Sequence, residues 1–173
     1  MILDCGCPSE FPDWHNEDVD LSGQVVHTLP LPCFFHMPVG YDNYVKRQQS
    51  YIDQLEIRER WPGFVISTTG MFRGKILRLL EDTHSMSRHV RTIQGPFKLR
   101  AIRHKGNIST IKGPIRQLQM ELLDSGLMPK ELYMCHLTCP RCRDKRGGDQ
   151  ILLLRKWEES EKLKQKISAR QSS

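Results

Sequence analysis

No apolar run in this 173-residue chain approaches the roughly 18 residues that a membrane-spanning helix needs, so the composition reads as that of a soluble globule with no membrane partner. The opening Met-Ile-Leu-Asp-Cys-Gly-Cys lacks both the positive n-region and the apolar h-region of a secretory signal, which makes the cytoplasm the expected compartment. Also missing are a glycine-rich phosphate loop, a Ser/His/Asp order suited to a nucleophilic triad, and a helix bearing paired histidine ligands. Nucleotide and nucleophilic chemistry therefore have no positive support. Hydrophobic residues at 38% and charged residues at 27% are ordinary for one globular domain.

What the chain does contain is six cysteines. In a reducing compartment they are poor candidates for a disulfide framework and better ones for metal ligation or redox work. Four fall into two close pairs. Cys5-Gly6-Cys7 has a glycine that permits a tight reversal, and Cys139-Pro140-Arg141-Cys142 is a C-P-x-C turn that aims two thiolates at one point. Two and two make the tetrahedral set of a closed zinc site, so Cys5, Cys7, Cys139 and Cys142 are the expected metal ligands. Cys135, His136 and His15 stand as substitutes, and an iron–sulfur cluster or redox thiols as alternatives. The metal would pin the N-terminal arm to the rest of the chain. Cys33, between Pro32 and Phe34, reads as a small buried hydrophobe.

The net charge of +6 is uneven, because Arg141 to Ser173 holds ten Lys/Arg against five Asp/Glu, or +5 of the total. Such a tail attracts nucleic acid or presents a solvated face of mixed charge, and the sequence leaves both open.

Periodicity divides the chain into an irregular cysteine-bearing arm (1–24), an α+β domain (25–157) with a zinc knuckle at 135–148, and a charged helical tail (158–173). Cys33 to Met37 reads as a strand ended by Pro38 and Gly40. A helix capped by Asp42 or Asn43 follows, with Tyr44, Tyr51, Ile52 and Leu55 on one face. Phe64 to Thr69 and Phe72 to Leu80 predict a hairpin. After a polar connection from Glu81 to Gln94, Phe97 to His104 alternates as a strand. A helix bearing Ile111, Ile115, Leu118 and Leu122 begins near Gly113, and Leu132 to Leu137 and Gln150 to Lys156 supply two more strands. The order is β-α-β-β twice. Such a duplication predicts one curved antiparallel sheet with both helices on one face and a ligand groove along the pseudo-twofold on the other.

Arg103-His104-Lys105-Gly106, a helix ending Leu123-Asp124-Ser125-Gly126-Leu127, and Lys130-Glu131-Leu132-Tyr133 before a late strand together resemble the second half of GyrI-like proteins, with their R-H-x-G, small-Gly and E-x-Y elements. With the first unit as its divergent partner, the resemblance spans 25–157. It implies the duplicated fold and a small-molecule groove, used in that family by ligand-binding domains of multidrug-responsive regulators, gyrase inhibitors and hydrolases of reactive small molecules. The cysteine arm, cysteine insertion and tail depart from the family. So does the lack of a DNA-binding domain ahead of the sheet, which is expected to remove a transcription-regulator role. His36 and His104, at corresponding places in the two units, and Glu131 with Tyr133, which share a sheet face if the strand is regular, are the candidate ligand-binding residues. Glu131 would counter a cationic ligand or act as a base, and Tyr133 would stack.

Overall fold

The computed structural model describes residues 2–81 and 84–172; Met1, residues 82 and 83 of the polar connection, and Ser173 lie outside the described residues. Apolar residues, alternating in β2 and running continuously through Ile151–Leu154 in β9, build β2 (Val25–Phe34), β4 (Ile66–Thr68), β5 (Arg73–Leu79), β7 (Lys98–Lys105), β8 (Leu127–His136) and β9 (Gln150–Glu159). The short β1 (Glu17–Asp20), β3 (Met37–Pro38) and β6 (Val90–Thr92) extend the edges. All pair antiparallel in the order β1-β7-β9-β8-β4-β5-β2-β3, with β6 also on β2. In each half the third strand lies between the first and second: β5 between β2 and β4, and β9 between β7 and β8. The halves meet where Ser67 of β4 pairs with Met134 of β8. This is the duplicated topology that the repeated punctuation implies.

The helices α1 (Tyr41–Gln54) and α2 (Lys112–Asp124) cover one face. Tyr44, Val45 and Tyr51 of α1 pack on Leu29, Leu31, Cys33, Val65 and Ile76, while Ile115 and Leu118 of α2 pack with Ile102, Ile151 and Leu153. Cys33 is a buried apolar packing residue. Pro114 falls in the first turn of α2, where its missing N–H costs nothing.

Four local expectations change. Cys33 to Met37 is two strands, because Phe35 and His36 both take left-handed φ (47° and 66°) and reverse the chain in a two-residue hairpin whose hand suits strand twist. The α1 N-cap is Gly40 at φ 68°, with no side-chain cap, since β3 pairing persists to Pro38 and leaves no room for an Asp42 or Asn43 cap. The N-terminal arm is partly sheet: β1 adds to β7, and Asp18 receives two hydrogen bonds from Arg100 at 2.9 Å and one from Trp157. The tail helix α3 (Glu161–Gln171) starts after Ser160, because β9 holds Glu158 and Glu159 against Met128 and Leu127. It docks at the α2–β8 turn, where Gly126, at φ 73°, lies so close to Lys164 that a side chain at 126 would collide with it.

Beneath α1 lies a polar network that apolar periodicity does not reveal. His27 is fully buried, with Nδ1 3.2 Å from Gln48 Nε2, and burial, aided by the nearby His89 and Arg78 charges, lowers its pKa to about 4. The unfolded chain, near 6.5, takes up this proton before the folded one does. The His27 contribution is thus complete above about pH 6.5 and is lost as pH falls toward 4, a change of about 3 kcal/mol. Urea midpoints measured from pH 7 to 4.5 are expected to fall more steeply for the parent than for His27→Gln; parallel curves would contradict this.

Candidate metal centre and ligand groove

The N-terminal loop closes on itself through Leu3 N–H donating to Cys7 O and Gly6 N–H to Leu3 O, with Gly6 at φ 87° making the reversal. The C-P-x-C segment forms a turn in which Cys142 N–H donates to Cys139 O at 3.0 Å and Cys139 N–H donates to Cys142 Sγ at 3.3 Å. Arginines join the two: Arg141 donates to Cys5 O at 3.1 Å, and Arg146 to both Pro8 O and Leu137 O. As a result the sulfurs of Cys5, Cys7, Cys139 and Cys142 lie within 4.8 Å of one another. Cys139 and Cys142 sulfurs are 3.9 Å apart, against about 3.8 Å for the edge of a tetrahedron with 2.3 Å zinc–sulfur bonds. The donor set therefore fits a metal ion.

The four thiols do not share one environment. Burial, then hydrogen bonding to its sulfur neighbours, pushes the Cys7 thiol well above the usual range. For Cys139, burial is opposed and outweighed by the Arg141 and Cys142 amides and the adjoining thiols, which hold it down to about 7. Sulfurs that accept amide hydrogens and crowd one another are suited to a cation at their centre.

The substitute ligands lie elsewhere. Cys135 is fully buried in the sheet core with Leu137 and Leu152. His136 ends β8 on the opposite face. His15 accepts a hydrogen bond from Arg103 N–H at 3.1 Å.

On the helix-free face, the arm fills one end of the expected groove. Trp14 meets Trp61 and Phe64 edge-on at 5.5 and 5.9 Å, and Phe11 packs beside them under Arg146. The other end is open as a cavity of about 610 Å³. Val26 and Leu77 of the sheet, Phe97, the Arg91–Gln94 segment, Lys75 and Lys156 line it. Phe97 lies edge-on to Tyr133 at 5.6 Å.

The four candidate ligand residues do not converge. His36 sits exposed in the β2–β3 turn, while His104, near the end of β7, is within 2.9 Å of Thr110 Oγ1 beside α2. Four strands lie between β2 and β7, a separation of roughly 24 Å at 4.8 Å per strand. Tyr133 is 2% exposed, and burial raises its phenol to about 12. Glu131 is exposed, 4.0 Å from Lys156 Nζ. Thr92, Phe97 and Lys156 are groove residues that the sequence reading does not single out, whereas Lys75 and Arg91 belong to a scattered basic set, able to serve an anionic ligand but read from the sequence as a solvated face, and the fold brings these two to one cavity. Lys75, Phe97 and Lys156 sit on or beside strands whose alternation marks them as sharing a face with Leu77 and Leu154, a signal that was available.

No family model matches the chain, and no curated protein matches it. Among solved structures it is similar to the crystal structure of the EcmrR C-terminal domain, with a TM-score of 0.59 at 9% identity over 83% of this chain and 97% of that one. It is also similar to EcmrR in the cryo-EM structure of an EcmrR–DNA complex, with a TM-score of 0.57 at 8% identity over 83% of this chain and 57% of that longer one. These similarities establish a shared fold. The matched share of this chain is larger than either half of the duplicated sheet.

The described helices include none long and apolar enough to cross a membrane. In α3 the basic residues are in part internally paired, with Lys164 donating to Glu159 and Glu161.

Proposed function

We propose that the protein is a GyrI-like small-molecule-binding module whose N-terminal arm is fastened by a structural zinc ion on Cys5, Cys7, Cys139 and Cys142. The observation carrying the binding role is the 610 Å³ cavity on the helix-free face, apolar on its floor and ringed by a few polar groups, as small-ligand sites are. An all-thiolate zinc site is closed and lacks the open position that catalysis requires. Its role here is to hold the arm over the sheet, so that Trp14 and Phe11 block one end of the groove and leave a cavity of defined length at the other. Holding is favoured over turnover because Tyr133, with its phenol raised to about 12, is neither a base nor exposed to the cavity. Glu131, the nearby acid, is engaged by Lys156.

Equilibrium dialysis of a panel of two-ring aromatic compounds, comprising anionic, neutral and cationic members, tests the reading. At least one member is expected to bind the parent and to lose at least tenfold in affinity in Thr92→Trp, which places an indole at the exposed rim of the cavity. If no member binds in a manner sensitive to Thr92→Trp, the groove is not a ligand site.

A further inference from the structure

Three cationic side chains, Lys75 from β5, Arg91 from β6 and Lys156 from β9, line one cavity of about 610 Å³. Among the described residues, neither Lys75 nor Arg91 has a carboxylate within ion-pair distance, and Lys156 has only Glu131 at 4.0 Å. What steadies the lysines is aromatic: Lys156 Nζ is 4.9 Å from the Phe97 ring centroid, and Lys75 Nζ is 5.8 Å from that of Tyr133. A ring face supplies attraction without consuming all three ammonium hydrogens, so both groups keep donors for a further partner. Their common cavity gathers like charge, with Lys75 and Lys156 half-buried and Arg91 exposed. Burial, then the neighbouring Arg91, lowers the Lys75 pKa. Such an arrangement is unfavourable by itself and is relieved by an anion among the three groups.

The remaining walls describe the rest of the ligand. Val26, Leu77 and Ile93 are apolar, and Phe97 stands edge-on to Tyr133 beside them. Aromatic and aliphatic walls of this size suit one or two fused rings.

Resting on the groove reading given above, we propose that the cavity takes a planar aromatic anion, a carboxylate or sulfonate on a one- or two-ring system. The acid group sits among Lys75, Arg91 and Lys156, and the ring lies against Phe97, Ile93 and Leu77. This reverses the charge expected from Glu131 alone. That carboxylate lies 4.0 Å from Lys156 and near enough to Lys75 to act on its charge, but the cavity lining holds three cations, so a cationic ligand would enter a site already carrying an excess of positive charge.

The test uses the full chain with naphthalene-2-carboxylate, its neutral carboxamide, and the cation tetraphenylphosphonium, titrated by calorimetry at low and at physiological salt. The carboxylate is expected to bind at least tenfold more tightly than the amide and to weaken with salt. Lys75→Gln and Arg91→Gln are each expected to weaken the carboxylate about tenfold, as loss of a charge-assisted hydrogen bond does, and Lys75→Arg to retain most of the affinity. The carboxamide supplies the control for a folding defect, because its affinity should change little in these variants. Preference for tetraphenylphosphonium, lost in Thr92→Trp, would overturn the anion assignment while leaving the groove a ligand site. Carboxylate binding that ignores both Lys75→Gln and Arg91→Gln would overturn it too, and failure of all three probes would remove the groove reading with it.

Discussion

Treatment with a strong chelator, or the paired changes Cys5→Ser and Cys7→Ser, is expected to release a single equivalent of zinc and to open the N-terminal arm to protease between Pro8 and His15. Two properties of the site make the effect large. Its donors come from sequence positions more than 130 residues apart, brought together within 4.8 Å, so the ion closes a loop that includes nearly the whole fold. The second is where the other contacts fall: the Asp13–Arg103 ion pair, the Arg103 N–H bond to His15, the β1–β7 pairing and the packing of Phe11 and Trp14 hold the arm from Phe11 onward, while the segment that bears Cys5 and Cys7 is joined to the cysteine turn by the arginine hydrogen bonds to Cys5 O and Pro8 O. With free zinc a thousandfold above its dissociation constant, linkage alone contributes about 4 kcal/mol. The sheet has its own core and should survive as a folded body. Loss of the arm should instead appear as a change in fluorescence when Trp14 leaves Trp61 and Phe64. Elemental analysis identifies the ion, since iron with visible charge-transfer absorption in place of zinc would mean a cluster. Full retention of metal by the paired serine variant, or purification of a folded and metal-free chain with a protected arm, would refute the site.

The cysteine pairing was legible because C-x-C and C-P-x-C are local codes, each with its own turn, and a tetrahedral ion needs the sum of the two. Strand and helix order was legible for the same reason: alternation in Phe97 to His104 and the three–four stepping of Ile111 to Leu122 are local consequences of which face is buried. The duplication then fixed how strands neighbour one another, because two similar units with short connections have few ways to share a sheet.

Features set by distant partners were not legible. β1 is an irregular, acidic tetrapeptide that becomes a strand because β7 offers an open edge and Arg100 a partner for Asp18. β6, within the polar connection, is a strand through its pairing with Val25 to His27. The two histidines looked equivalent by position in the repeat, yet Phe35 and His36 are consumed by a hairpin turn in the first unit, whereas β7 runs straight through His104 in the second. Glu131 lies within the shift of register between Pro129 and Leu132, and Tyr133 just after it, so the simple alternation rule places Glu131 less well than it places Lys156. Pseudo-symmetry of backbone thus did not carry symmetry of site.

Arg78→Met is expected to destabilise the protein by about 3–5 kcal/mol, the range found when one partner of a buried ion pair is removed. Its Nη1 lies 2.9 Å from Glu59 Oε1, and the two side chains are only 2% and 5% exposed. The guanidinium also donates from Nε to Gln48 Oε1 at 3.0 Å, to Gln49 Oε1, and from Nη2 to Val45 O at 3.2 Å. One side chain from β5 thereby fastens three residues of α1 and the segment after it to the sheet. The five-donor planar fork is what makes this possible, and methionine keeps the packing of the aliphatic stem while losing every bond. Most of the cost arises because Glu59 and Gln48 are left without a donor in a site that water does not reach. The double variant Arg78→Met/Glu59→Gln removes that stranded charge and is expected to recover about 1–3 kcal/mol of the loss, whereas Glu59→Gln alone should cost less than Arg78→Met because the guanidinium retains its other acceptors. Urea unfolding of the four proteins closes this cycle. A loss below about 1 kcal/mol in Arg78→Met, or strict additivity in the double variant, would show that the network is solvated and that α1 is held by Ile52 and its tyrosines alone.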